Sequence, residues 1–195
     1  STDIETVEAP FRERKARPVW RLTPLAPVGM ADLLKARGYE AIERSLLQRC
    51  PLHDGFRADP AVEIADSPGS AWLAAFAAHS PVKAEHRETM RRMLQSIAQP
   101  VGFAFVRHEG RPMAMAIGAV EGDHMGLFDV LVMPEARRQG LARRITESLY
   151  AWAWERGARF AYLQVVATNV AAVPLYAAQG FRTVYEYEYL VPPTS

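Results

Sequence analysis

The segment VMPEARRQGLA, Val132 to Ala142, collects residue types that can hold an anion. A short apolar strand, Leu127–Val132, is expected to run into it, and an amphipathic helix from Leu141 to leave it. The first amides of a helix have no internal acceptor and point at whatever precedes them, in a field that favours negative charge. Gly140 and Ala142 keep the turn free of bulk where a ligand must approach the backbone. Arg137, Arg138, Arg143 and Arg144 add positive charge around it. A helix start alone favours acids rather than bases, so the arginines ask for a partner anion. The plainer alternative is a solvated basic face. The chemistry suggested is the binding of a pyrophosphate.

The elements that must position this turn follow from periodicity. The helix Leu141–Arg156 carries Ile145, Leu149 and Trp152 on one face and is stopped by Gly157. Phe160–Val166 reads as an apolar strand, a helix after Asn169 runs to Gln179 before Gly180, and Arg182–Leu190 reads as a final strand. Upstream, residues 71–98 read as two helical segments separated by Pro81, and Pro100 closes them. Val101–Val106 and Met113–Val120 read as a hairpin joined by the turn His108–Pro112, with a further turn at Gly122-Asp123. Three strands in a meander followed by helical crossovers predict an α/β or α+β sheet with helices on its faces.

Composition narrows the class. At 195 residues the chain can bury a sizeable core in one or two domains. With 49% hydrophobic and 23% charged residues it reads as an ordinary globular chain. A net charge of +1 gives no reason to expect nucleic acid or a membrane surface, and no stacking aromatics are interleaved with the arginines. No apolar run approaches the ~20 residues of a membrane span, and no signal peptide opens the sequence. Cys50 stands alone, which leaves no disulfide framework or metal-binding cysteine pair, and it reads as buried filler. A cytoplasmic monomer or homodimer without a metal fits these features.

A second block carries as much information as the first. Arg137-x-x-Gly140-x-Ala142 fits an R/Q-x-x-G-x-G/A pattern, with alanine at the last position where glycine is commoner. Asn169-Val-Ala-Ala-Val-Pro-Leu-Tyr176-Ala-Ala-Gln-Gly180-Phe181 follows an N-x-x-A…Y-x-x-x-G-F pattern. With both blocks in this order, residues 71–190 resemble the GCN5-related N-acetyltransferase (GNAT) superfamily. The resemblance implies a mixed, mostly antiparallel sheet with a splayed strand pair and helices on both faces. It also implies acetyl-CoA-dependent transfer of an acetyl group directly to a primary amine, on a small-molecule or amino-acid-like acceptor. Nothing in the sequence chooses among an antibiotic, a polyamine, an amino acid and a protein N-terminus.

The resemblance also assigns roles. Backbone amides of Arg138, Gln139, Gly140, Leu141 and Ala142 would hold the pyrophosphate, with Arg137 and Arg143 beside them. Val130, Leu131 and Val132 on the splayed strand would pair with the pantetheine arm, one amide acting as an oxyanion donor. Tyr176 would be the general acid for the leaving thiolate, because a phenol keeps its proton at neutral pH; otherwise it is an aromatic packed on the sheet. Asn169 would bond the cofactor arm or simply cap a helix. Pro174 is tolerable only if that helix begins just before it. Two candidates stand for the base. Asp129 lies on the splayed strand, where alternation sets it opposite Phe128 and Val130. His124, at the start of that strand, titrates near neutrality, and Glu121 and Asp123 are close in sequence. Water could instead take the proton.

Residues 1–50 carry a repeat. One fixed offset lays Glu13–Arg17 on Glu155–Arg159 and Leu33–Tyr39 on Leu175–Phe181. Three segments are therefore expected: a partial, degenerate GNAT-like unit over 1–50, a connector over 51–70, and an acetyl-CoA-binding domain over 71–195. The first lacks the chemistry, since Pro27 stands where Asn169 would be and Leu34 where Tyr176 would be. That loss motivates the competing reading, a non-catalytic CoA-binding or regulatory module. Intact Tyr176 and Asn169 argue against it for the C-terminal unit.

Overall fold

A computed structural model describes residues 3–193. Its elements, in chain order, are α1 (Ile4–Glu13), β1 (Trp20–Leu22), α2 (Met30–Ala36), β2 (Glu40–Pro51), β3 (Val62–Ala65), α3 (Ser70–His79), α4 (Arg87–Gln95), β4 (Val101–His108), β5 (Arg111–Glu121), β6 (His124–Val132), α5 (Leu141–Glu155), β7 (Phe160–Val166), α6 (Ala172–Ala178) and β8 (Arg182–Val191). The strands form a sheet in the order β1-β8-β2-β7-β6-β5-β4-β3. Pairing is antiparallel from β3 through β6 and parallel between β6 and β7. This is the mixed, mostly antiparallel sheet expected.

The described residues fall into two compact units. One takes residues up to Gln48 together with Gln164–Pro174 and residues from Thr183 onward; the other takes Arg49–Leu163 and Leu175–Arg182.

The larger unit is organised by α5. Ile145, Leu149 and Ala153 recur every fourth residue and are fully buried, which lays one stripe of the helix on β4–β6. The sheet makes room with glycine. A side chain at Gly102 would meet Trp152 at 3.1 Å, and one at Gly118 would meet Leu149 at 3.2 Å. The opposite face of β4 takes α3, where Trp72 sets its ring edge on Phe103 at 5.2 Å and donates its indole N–H to the carbonyl of Ala104 at 3.0 Å. Residues 71–98 hold two helices, as expected, but a short 3₁₀ turn at Ala84–His86 precedes the second. The 51–70 segment is more than a connector: Val62–Ala65 forms β3, paired with Phe103–Val106. Four residues of strand between Pro60 and Pro68 are too few to show a period.

In the smaller unit Ile4, Met30, Leu34, Tyr39 and Leu190 form a core, with Trp20 and Leu22 packed against it. Glu8 is buried beside this cluster, and its carboxylate accepts from the indole N–H of Trp20 at 2.7 Å and from the Tyr39 hydroxyl. Two donors offset the cost of removing that carboxylate from water. The Tyr39 phenol is pushed up to about 12, first by burial and then by this bond.

Residues 4–51 and 141–191 both run helix–strand–helix–strand. Their second helices close alike. Tyr39 N–H donates to the Leu34 carbonyl and Phe181 N–H to the Tyr176 carbonyl, each followed by glycine-mediated turns at Gly38 (φ +82°) and Gly180 (φ +88°).

Candidate active site

β6 is the element on which the larger unit's chemistry depends. On one side it pairs with β5 along its length. On the other, pairing with β7 covers only His124↔Phe160, Met125↔Ala161 and Gly126↔Tyr162. Beyond Gly126 the described strands part, and the β7-facing edge of residues 127–132 has no strand partner. Backbone groups on such an edge seek a ligand or water.

The same stretch holds a bulge. Met115 pairs with Leu131 and Ile117 with Phe128, so Asp129 and Val130 together face Ala116. Asp129 takes the left-handed conformation there, with φ +50°. Simple alternation therefore fails across the bulge: Phe128 and Leu131, three residues apart, pair with residues on the same face of β5. Asp129 keeps an exposed surface, yet crowding by the protein around its carboxyl partly desolvates it and raises it above the usual carboxylate range.

At the fork Phe128 folds back over Gly126, with its ring edge-on to Tyr162 at 6.3 Å. A side chain at Gly126 would lie 2.6 Å from the Phe128 ring and 2.9 Å from the Tyr162 hydroxyl. His124 stacks on Phe160 at 5.2 Å, and its Nδ1 lies 2.6 Å from Asp123 Oδ1. Five residues of extended chain put His124 about 15 Å from Asp129. The two candidate bases cannot serve one amine nitrogen.

After β6, Pro134–Ala136 form a 3₁₀ turn, and residues 137–140 swing the chain into α5. Arg138 and Gly140 both have left-handed backbone, at φ +62° and +77°. Gly140 is the N-cap and offers no side chain. The first intrahelical bond runs from Arg144 N–H to the Gly140 carbonyl at 3.1 Å, so the amides of Leu141, Ala142 and Arg143 lack a helical acceptor. Left-handed turns feeding a helix form a concave nest of N–H groups suited to phosphate oxygens.

The arginines divide. Arg144 pairs with Asp59 at 2.6 Å, and Arg143 with Glu147 one turn along α5 at 2.7 Å. Arg137 bends back toward the Val132 carbonyl at 3.4 Å, while Arg138 has no ion-pair partner among the described residues. The basic cluster is smaller than the sequence suggested, because two of its members already have carboxylates.

Tyr176 is buried in α6, 5.7 Å from the Phe181 ring. Its hydroxyl makes no hydrogen bond among the described residues, and burial pushes it up to about 12. Asn169 caps α6, its Oδ1 accepting from Ala172 N–H at 3.0 Å. Pro174 is the third residue of that helix, inside the first turn as required.

A bulged strand that leaves its parallel neighbour, followed by an uncapped helix, can hold an extended arm and its phosphates together. The family model for the acetyltransferase (GNAT) family matches residues 68–181. The chain belongs to the GNAT family. An uncharacterized N-acetyltransferase, YobR of Bacillus subtilis, is 24% identical over 183 residues, covering 88% of this chain and 72% of that one. The ribosomal protein bS18-alanine N-acetyltransferase of Escherichia coli is 40% identical over 73 residues, 37% of this GNAT chain and 49% of that enzyme. Among solved structures, a GCN5-related N-acetyltransferase from Kribbella flavida gives a TM-score of 0.70 at 22% identity, covering 98% of this chain and 74% of that one. A tandem GNAT protein from the clavulanic acid biosynthesis pathway gives 0.73 at 15%, covering 97% and 69%.

Some residues that shape this GNAT site were not singled out from sequence. Asp59 restrains Arg144 from a loop far away in the chain, and its backbone N–H also donates to Ser148 Oγ at 2.9 Å. Glu147 could have been found from its spacing to Arg143.

Proposed function

We propose that this chain transfers the acetyl group of acetyl-CoA directly to the primary amine of a small-molecule or amino-acid-like acceptor. The observation that carries the reading is the parting of β6 from β7 after Gly126, next to the uncapped start of α5. The amides of Arg138 through Ala142 would hold the pyrophosphate, with Arg137, Arg138 and Arg143 supplying charge. The free edge of Val130, Leu131 and Val132 would pair with the amide-bearing arm. Asn169 enters the proposal through its carboxamide N–H₂, which the helix cap leaves over.

Bound acetyl-CoA would supply the activated acyl carbon and a thiolate leaving group. An amide of the Val130 stretch would stabilise negative charge on the thioester oxygen. Asp129 would accept a proton from the attacking nitrogen, and a carboxyl raised by desolvation is a better base for that task. Tyr176 would donate a hydrogen bond to the departing sulfur. A phenol at about 12 lies well above a thiol near 8.5, so the bond would stabilise the thiolate until the proton held by Asp129 is released to water and the thiolate takes one up. The nitrogen gains the acyl group and loses one proton, and the sulfur gains one. His124, too far along β6 to share that nitrogen, is better placed as part of the aromatic wall.

A second acceptor class is a protein N-terminal amine, favoured by the 40% match to the bS18-alanine enzyme. Thermal unfolding with acetyl-CoA, then thiol release with an amine panel including a peptide with N-terminal alanine, tests both. No stabilisation by saturating acetyl-CoA would end the reading.

A further inference from the structure

Resting on the acetyl-transfer reading, the next inference concerns how Tyr176 is held. Thr146, in the second turn of α5, is 0% exposed, and its hydroxyl lies 3.0 Å from the carbonyls of both Ala142 and Arg143. Those carbonyls belong to the first turn of the helix that follows the arginine turn. Gln179 Nε2 donates to the Thr146 hydroxyl at 2.9 Å, and the Tyr150 hydroxyl donates to Gln179 Oε1 at 2.7 Å. Along the backbone, Gln179 N–H donates to the Tyr176 carbonyl at 3.0 Å, as does Phe181 N–H. Tyr150, Phe181 and Tyr176 also pack as an aromatic series, with centroids 6.1 and 5.7 Å apart.

We propose that Gln179 is a positioning residue that couples the start of α5 to the placement of the Tyr176 hydroxyl. Its backbone closes the turn that carries Tyr176, and its side chain ties that turn to α5. An anion that orders the amides of Leu141–Arg143 also fixes the carbonyls that anchor Thr146. The restraint then passes through the Gln179 carboxamide to α6. A polar side chain of this length is needed because two hydroxyls must be bridged; an apolar one of similar size would take the acceptor from Tyr150 and leave Thr146 bonded only to the Ala142 and Arg143 carbonyls of its own helix, cutting the link. A buried tyrosine whose own hydroxyl makes no bond among the described residues depends on such outside restraint for its aim.

The variants that test this are Gln179→Met, which keeps bulk and loses the bridge, and Gln179→Glu, whose carboxylate can accept from both hydroxyls. Amide hydrogen exchange is read with and without saturating acetyl-CoA. In the wild-type chain, acetyl-CoA should slow exchange at Gly180 and Phe181 as well as in the first turn of α5. In Gln179→Met the α5 effect should remain and the α6 effect disappear, and Gln179→Glu should restore it. With an accepted amine, Gln179→Met should lower kcat roughly tenfold to a hundredfold. KM for acetyl-CoA should stay within about twofold, and the change should add little on a Tyr176→Phe background. Equal α6 protection in wild type and Gln179→Met, or a kcat loss undiminished on Tyr176→Phe, overturns the coupling alone. Absence of any stabilisation by acetyl-CoA overturns the acetyl-transfer reading and the coupling with it.

Discussion

Tyr176 shows what environment does to a common residue. Its ring is buried against Phe181, and among the described residues its hydroxyl makes no hydrogen bond, which leaves that atom open to water or a ligand. Tyr176→Phe should reduce kcat by roughly tenfold to a thousandfold and leave KM for acetyl-CoA nearly unchanged, checked by steady-state thiol release. Because the phenol sits at about 12, the rate should show no loss from its ionisation up to about pH 11, and a rate-limiting deprotonation below that would contradict its role. Cys50 is the opposite case. Burial pushes its thiol up to about 12, outweighing a backbone hydrogen bond from Ala161 that favours the thiolate, so the folded chain should resist alkylation at pH 8 and react only on unfolding, read by mass spectrometry. Tyr176 and Gly140 were legible in the sequence because local spacing defines them. Gln179 and Thr146 were not, since their bond joins residues 33 apart in the chain and neither type announces a partner.

At the scale of elements, periodicity located nearly every helix and strand of the larger unit, and failed where the backbone departs from regularity. The bulge at Asp129 cannot be read from FDVLV, because any residue can be the extra one and only the register with β5 reveals it. For the same reason the basic cluster was overestimated: Asp59, in the connecting segment, neutralises Arg144 from a distance that spacing rules do not reach. The Asp59 carboxyl is held below its ordinary value, chiefly by its hydrogen bond to Arg144. The unfolded chain then binds its proton at higher pH than the folded one. This contribution is complete above the ordinary carboxylate range and is lost as pH falls through the depressed value. Asp59→Asn should therefore flatten the acid side of the stability profile, by no more than about 1 kcal/mol since the pair is partly exposed. The glycine seat under α5 should be less forgiving. Gly118→Val would drive a side chain into Met125 Sδ at 3.1 Å and Leu149 at 3.2 Å, costing about 1–3 kcal/mol in chemical denaturation.

For the whole molecule, several buried hydroxyl and thiol groups act together on the alkaline side. Cys50, Tyr39 and Tyr176 are pushed up to about 12 in the folded chain, and burial raises Tyr150 as well, against ordinary values of 9.0 and 10.0. Between those values and about 12 the unfolded chain sheds protons that the folded chain keeps. Stability is full below about pH 9 and should fall steeply above it, measured by Tm against pH. Residues 4–51 and 141–191 share a helix–strand–helix–strand order, and the glycines at 38 and 180 punctuate it at matching places in the sequence. The strand order has one more consequence, for synthesis. β8 lies between β1 and β2, so two strands flank one that is made much later than either. Trp20, paired with Leu190, waits until all the residues between them have left the ribosome. At about 5–20 residues per second the first 50 residues spend many seconds with a sheet edge and an apolar helix face unpaired. A nascent chain stalled before residue 182 cannot close that edge, and keeps it open to pairing with another chain.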